Sequence, residues 1–442
     1  MAGMSISGLV SGLDTTTLIS QLMQLERQPQ TQLKTKLTDT KADASAYRTV
    51  NSVFTTLQSA AESLTKATTW APVKATSSAT TVSASATAGA ATGQVSFRVD
   101  TLAASHVLIS GATWTPSASA MELTVSDKDA DTPAKTIPIA ANATLDQTVT
   151  AINAANAGVT ATAVSTGTGF RLQLTSAGSG ADGEFTVSGG PAFSLFTQAA
   201  DAKLTVGAGG PYSYEVTSTS NTFTDLMPGT TFTVSKKDET ATVTVASDPA
   251  ALTSAIQSLV TAANAAITNI NTYSDNSAGS TAVLRGDSSL RALAGQIADA
   301  VAYAVGGDGS AAVAGLQLTR DGKIAFDSAA FTAQLKADPV KTQRLLNGSG
   351  TGDAAVPGVA QRLLAVAKYA TDTTTGSLVN LAQGKDAQAT ELQKRIDDWD
   401  LRLELRQQTL TRQFTAMESA LGTMQNQSGW LSSQLGSLPT WS

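Results

Sequence analysis

An α+β multidomain fold is predicted for this chain of 442 residues. N- and C-terminal helices form a coiled-coil or helical-bundle stalk, and two β-rich domains, one nested inside the other, are inserted between them. Three observations predict it. Near the C-terminus, Leu392, Ile396, Trp399, Leu403, Leu410, Phe414, Met417, Leu421 and Met424 follow one another at steps of three, four or seven, which sets them in one stripe on a helix. Near the N-terminus Tyr47, Val50, Phe54, Leu57, Ala61 and Leu64 do the same. Between them the apolar period changes to two, the signature of strands with one buried face. A stripe so narrow needs a partner helix to cover it. The simplest arrangement pairs the first helix with the last, leaving the middle as an insertion at the far end of the stalk.

The elements follow in order. Asp14 can cap a first helix over about 15–27 that lines up Leu18, Leu22 and Leu25. Pro29 disfavours helix at Gln28 but suits the first turn of a second helix, over about 30–68, so the two meet at a hinge. Past Trp70, Pro72 and a Ser/Thr/Ala/Gly run mark a boundary. Val95, Phe97 and Val99 alternate as a strand, and another covers His106 to Ile109. From 111 to 199 a compact sub-unit reads as a helix laid on a small sheet: Met121, Leu123 and Val125 alternate, and Thr144 to Gln147 form a capping box. Gly158 stands where a glycine cap belongs, and two strands flank a Gly167–Gly169 turn. Strands return over 200–247, with a turn at Pro228-Gly229.

Asp248-Pro249 opens a helix carrying Leu252, Ile256, Leu259, Ala263, Ile267 and Ile270. Further helices are expected over 288–305, after Asp338-Pro339 and over 358–371, with a hairpin around Asp321-Gly322. The last helix begins near Lys385 and runs about 36 residues. The domains are therefore 1–42 with 410–442 as terminal leg segments, 43–74 with 248–409 as a helical bundle bearing a small hairpin, 75–110 with 200–247 as a β-rich head, and 111–199 as the inserted α+β head.

Composition narrows the function. Hydrophobic residues make up 42% of the chain, enough for real cores, while only 14% are charged. A net charge of −6 supplies no basic stripe for phosphates, so no nucleic-acid partner is expected. With no cysteine, disulfides and thiolate metal sites are excluded. No signal peptide and no apolar run of membrane-span length are read, so no membrane insertion is expected.

The residues that could carry chemistry read as structural. His106 is the sole histidine and sits in an apolar strand, so a Ser-His-Asp triad would rest on it alone. Asp127, Asp129 and Asp131 start like a calcium loop, but Thr132 stands where glycine belongs and Pro138 where the bidentate Glu belongs. The glycine clusters lack dinucleotide and P-loop spacing. Asp397, Asp398 and Asp400, among Lys394, Arg395 and Arg402, read as a salt-bridged solvent face. No enzyme activity, cofactor or metal is expected. An apolar stripe is ordinarily core. Here the helices are long, and Leu18, Leu22, Leu25, Trp430, Leu431, Leu435 and Leu438 carry the pattern on towards both ends, which favours self-association.

Specific motifs carry a family resemblance. ISGLVSGLD (Ile6–Asp14), continuing to LMQLERQP (Leu22–Pro29), resembles the N-terminus of the bacterial flagellar filament cap, the hook-associated protein two family. RQQTLTRQFTAMESALGTMQNQSGWLSSQL (Arg406–Leu435) is similar to that family's C-terminal signature. AINAANAGVTATAVSTGTGFRLQLTS (Ala151–Ser176) resembles the small repeat of flagellin- and hook-related proteins. The resemblance implies passage through the flagellar type III export channel and assembly at the filament tip as a ring of about five or six copies. It implies legs that contact the filament, promotion of flagellin folding, and an extracellular location on the flagellum. Implied partners are further copies of itself, flagellin, hook–filament junction proteins, and an export chaperone on the C-terminal helix. On this reading Leu18, Leu22, Leu25, Phe414, Met417, Leu421, Met424, Leu431 and Leu435 are candidates for the oligomer or filament interface, with Pro29 the candidate hinge. The alternative is a surface adhesin whose β-domains bind host glycans or mucin; a secreted hydrolase lacks any residue constellation.

Overall fold

The computed structural model describes residues 14–128, 133–350 and 355–436, with side chains through Gln434. They form two compact units, one from residues before Lys66 together with those from Ala255 on, the other from Lys66 to Ser254. The predicted α+β architecture holds: terminal helices pair, and β-rich segments lie between them in the chain.

In the helical unit, α1 (Thr15–Glu26) opens on Asp14, whose side chain accepts the Thr17 amide at 2.9 Å. It is followed by α2 (Gln28–Thr65). The long α9 (Ser377–Gly436) runs antiparallel to both. Leu33 and Leu37 of α2 pack on Ala389, Leu392 and Ile396 of α9, and Asp43 meets Lys385 at 2.7 Å. The second half of α2 buries Val50, Phe54, Leu57, Ala61 and Leu64, with α8 (Val359–Thr371) alongside. The unit is completed by α4 (Pro249–Ser274, from Ala255), α5 (Ser288–Ala302), the hairpin β16 (Leu316–Leu318) with β17 (Ile324–Phe326), α6 (Ser328–Ala337) and α7 (Pro339–Asn347). Asn264 of α4 grips the hairpin, donating to the Ile324 carbonyl and accepting its amide, both at 2.8 Å.

Several expectations are corrected here. Helix α9 spans 60 residues and starts at Ser377 rather than near Lys385. Leu378 and Ala382 are buried in the bundle, and Gly384 is tolerated mid-helix with open space around it. Gln28 is helical although Pro29 follows it: only Arg27 breaks the pattern, and the Arg27 amide to the Met23 carbonyl and the Thr31 amide to the Arg27 carbonyl, each 3.0 Å, carry the ladder across. Pro29 lies in the first turn of α2, and the Leu25 carbonyl that its missing N–H leaves accepts the Arg27 amide instead. The absence of a span-like segment also needs amending. Helix α4 is long and apolar enough to cross a membrane by length and composition. Its stripe, Leu252, Ile256, Leu259, Ala263, Ile267 and Ile270, is buried in protein, as in a core helix.

The β unit holds two cores. A sheet of order β1 (Val73–Ser77), β15 (Thr240–Ser247), β3 (Gly93–Thr101), β11 (Ala202–Val206) and β12 (Tyr214–Ser218) shares one with the sheet β13 (Thr222–Thr224), β14 (Thr230–Val234) and β2 (Val82–Ala86). Phe97 and Phe232 stack at its centre, 6.0 Å apart. Nested in the chain between β3 and β11 are two more sheets. One orders β10 (Phe193–Thr197), β4 (Val107–Ser110), β8 (Phe170–Ser176) and β7 (Val159–Ser165). The other orders β6 (Lys135–Ile139), β5 (Met121–Asp127) and β9 (Phe185–Ser188). Helix α3 (Leu145–Ala154) packs its Ile152 into their shared core, and the predicted capping box at Thr144 and Gln147 is formed in both directions.

Strand β4 corrects the expected border: residues 107–110 hydrogen-bond to β8 and β10, so they belong to the inner fold and not to the outer head. The left-handed residue after α3 is Asn156, with Gly158 making the following turn into β7. His106 lies just before β4, buried, its Nδ1 accepting the Ala199 amide and its ring edge-on to Phe185.

Candidate functional site

The α1–α9 pair is where chain chemistry and an incomplete surface coincide. The pairing is set residue by residue. Thr15 donates to Glu418, Glu26 meets Arg406 at 2.9 Å, and the buried Gln30 donates to Asp400. Numbers ascending on one side meet numbers descending on the other, so the helices are antiparallel. The seam they close contains Met23, Leu403 and Leu410, flanked by Ile19, Trp399 and Phe414. Arg402 lies over the Trp399 ring, 5.5 Å from its centre. Asp400 thus bonds to α2, and Gln393 donates to Asp397, in place of the salt-bridged face expected of those carboxylates.

Of the predicted α1 stripe, none forms this seam. Leu18, Leu22 and Leu25 are 37%, 42% and 64% exposed, while Thr15, Ile19 and Met23 face α9. The signal for the packing face was the four-residue spacing 15–19–23, which the leucines outshone. On α9 one heptad row runs Leu403, Leu410, Met417, Met424, Leu431. Its exposure rises from 6% and 7% to 38%, 63% and 55%. The break falls where α1 ends: Thr15 lies opposite Glu418. Phe414 and Leu421 are half-buried. Leu435 lies outside the residues whose side chains are described, as does Leu438, and the Ile6–Leu13 part of the N-terminal motif is likewise outside the described residues.

The two flanks of the pair differ. One is a groove of about 300 Å³ lined by the seam residues Ile19, Met23 and Phe414 together with Thr16, Ser20 and Arg27 of α1 and Gln407, Thr411 and Glu418 of α9. The opposite flank carries Leu18 and Leu22. Asp14, at the start of α1, has its carboxyl held below the usual carboxylate range by the Thr17 hydroxyl and amide that bond to it. Among the described residues no cluster of three His, Cys, Asp or Glu is arranged to hold a metal; Asp129 and Asp131 fall outside them. What this surface presents is an exposed apolar row beside a groove.

Comparison with known proteins bears on that reading. The family model of the flagellar hook-associated protein 2 C-terminus matches residues 199–426, its N-terminal counterpart matches 11–106, and the flagellin hook IN motif matches 122–178. The chain is similar to the crystal structure of the flagellar cap protein FliD D1-D2-D3 domains from Escherichia coli, with 27% identity and a TM-score of 0.60, over 77% of this chain and 99% of that one. The D2-D3 structure from the same organism matches at 27% identity and TM-score 0.36, over 40% of this chain and 100% of that one. FliD (HAP2) from Pseudomonas aeruginosa PAO1 matches at 25% identity and TM-score 0.35, over 43% and 95%. Curated protein sequences yield no match.

Proposed function

The chain belongs to the flagellar hook-associated protein 2 family, and from that premise we propose that it acts as an oligomeric cap at the distal tip of the filament, where it promotes folding and insertion of exported flagellin. Its role is structural and its place is the flagellum. The observation that carries the finer reading is the heptad row of α9, closed through Leu410 and open from Met417. Helices with an uncovered apolar seam are built to finish their burial against another chain.

On this reading residues 1–42 with 410–442 form the leg. Leu18, Leu22, Leu25, Phe414, Met417, Leu421, Met424, Leu431 and Leu435 meet partners there, and the one-residue break at Arg27 beside Pro29 lets the leg change angle. The partners are further copies in a ring of about five or six, flagellin, the hook–filament junction proteins, and, before export, a chaperone on the end of α9. Light scattering of the purified full-length protein tests the oligomeric reading. A mass of several copies supports it; a strict monomer at high concentration overturns it.

A further inference from the structure

Strand β4 is apolar on both of its faces. Leu108 packs on the inner core around Leu172 and Leu174. Val107 and Ile109 alternate to the other side, and neither belongs to either core of the β unit. The register sets them beside Thr175 and Gln173 of β8. Val164 of β7 is on the same side, directly across from Arg171 of β8. An antiparallel sheet with one solvated face ordinarily turns polar side chains outward. Here Val107, Ile109 and Val164 are half-buried on that face. Phe196, in the bulge of the edge strand β10 opposite Val107, is 69% exposed.

Arg171 is the one charged side chain among the outward residues of β4, β7 and β8. Its Nε is shut off from solvent and has no hydrogen-bond partner among the described residues. Elsewhere the Nε of Arg98, of Arg344 and of Arg406 each meets a carboxylate, at 2.7, 2.7 and 2.9 Å. A buried N–H left unmet is a cost in the free protein, and a carboxylate from outside removes it. The spacing says how such a carboxylate arrives. Outward side chains on a strand recur every two residues, about 6.6 Å apart. One such step past Ile109, β4 has given way to Gly111, level with Arg171, and no side chain occupies the surface there. An extended segment laid along β4 repeats at the same interval. Its alternate side chains fall on Val107, on Ile109 and at the Arg171 guanidinium, so the matching pattern is aliphatic-x-aliphatic-x-acid.

We infer that this outer face of the inner fold docks an extended acidic peptide segment of another protein, its carboxylate received by the Arg171 fork and two aliphatic side chains set on Ile109 and Val107. The face is separate from the α1–α9 pair, and the inference does not rest on the cap reading.

Peptide selection tests it. A random heptapeptide library on phage is panned on the full-length protein and counter-selected on Arg171→Met, which keeps an apolar stem and removes the fork. The enriched sequences are expected to carry Asp or Glu two residues from one Val, Ile or Leu and four from another. A synthetic peptide of that consensus should bind wild type about tenfold or more tighter than Arg171→Met. Changing its acid to the amide should cost the same factor on wild type and nothing further on the variant. Arg171→Lys, which keeps the charge without the fork, should recover only part of the affinity. In the absence of peptide Arg171→Met should melt no lower than wild type, because the unmet donor leaves with the side chain. Enriched sequences without an acid, or equal binding by Arg171→Met, would overturn the inference. A melting midpoint several degrees lower would overturn it too, making Arg171 a support of the fold. A changed oligomer mass for Arg171→Met by light scattering would give the face to a second copy instead.

Discussion

Tyr47 shows how single residues hold the helical unit together. It is buried in α2, and its hydroxyl donates to Asp287, whose other oxygen accepts the Ser289 and Leu290 amides at the start of α5. One carboxylate thus caps a helix and satisfies a buried phenol. Tyr47→Phe should cost about 1.5–3 kcal/mol, the worth of a hydrogen bond to a charged acceptor, read as a lower denaturant midpoint. Burial, then the hydrogen bond to Asp287 and the charges of Asp287 and Asp43, push the Tyr47 hydroxyl well above the ordinary tyrosine range. A raised folded value means that this stability is fully present below about pH 10 and is lost as pH climbs beyond it. Wild type should therefore lose stability in alkali more steeply than Tyr47→Phe does; parallel curves would remove the role given to this pair. In the same unit Phe54 is fully buried, and Phe54→Ala should cost about 3–5 kcal/mol, measurable by the same titration.

At the level of elements, long apolar periods were legible and small-residue patterns were not. The stripes of α2, α4 and α9 appear in the sequence because Leu, Ile, Val and Phe recur on one face, and each of these faces is buried through the bundle. Strands β1 and β2 went unread inside a Ser/Thr/Ala run: their inward residues include Ala75 and Ala84, which give almost no hydrophobic contrast. The edge strands β9 and β10 were missed because four or five residues hardly display a period, and the ten-residue α6 because its Ala-rich sequence gives little hydrophobic contrast between faces. In α1 the reverse happened. Three leucines announced a face, yet Thr15, Ile19 and Met23 took the seam, because only that face continues the α2 surface presented to α9. The exposed leucines, left out of the seam, are the residues that the proposed function assigns to partners. At the break between α1 and α2, Pro29→Ala should supply the missing amide, favour one continuous helix and shorten filaments if the joint must flex; unchanged elongation under the microscope would make it a static joint.

For the whole molecule, connectivity sets the division of labour. The chain leaves the helical unit at Thr65 and re-enters it at Ala255, so the β unit can vary without interrupting the pairing of α1 and α2 with α9. The nested inner fold has its own core, with Leu123, Ile137, Ile152, Leu172 and Leu174 buried in it. A deletion of 111–199 leaves β4 without its partners β8 and β10, so the cut that respects the hydrogen bonding starts before Val107. Replacing 106–199 by a short linker should leave the helical unit folded by circular dichroism; loss of its helix signal would show that the units fold interdependently.

Filament growth in cells whose only copy of this protein carries Met417→Lys and Met424→Lys offers the most direct test. These side chains are exposed and outside the bundle core, so folding, read by circular dichroism, should match wild type while filaments fail to elongate. Filaments of normal length from that variant would contradict the account, since two charges in the middle of the open seam would then have cost the protein nothing.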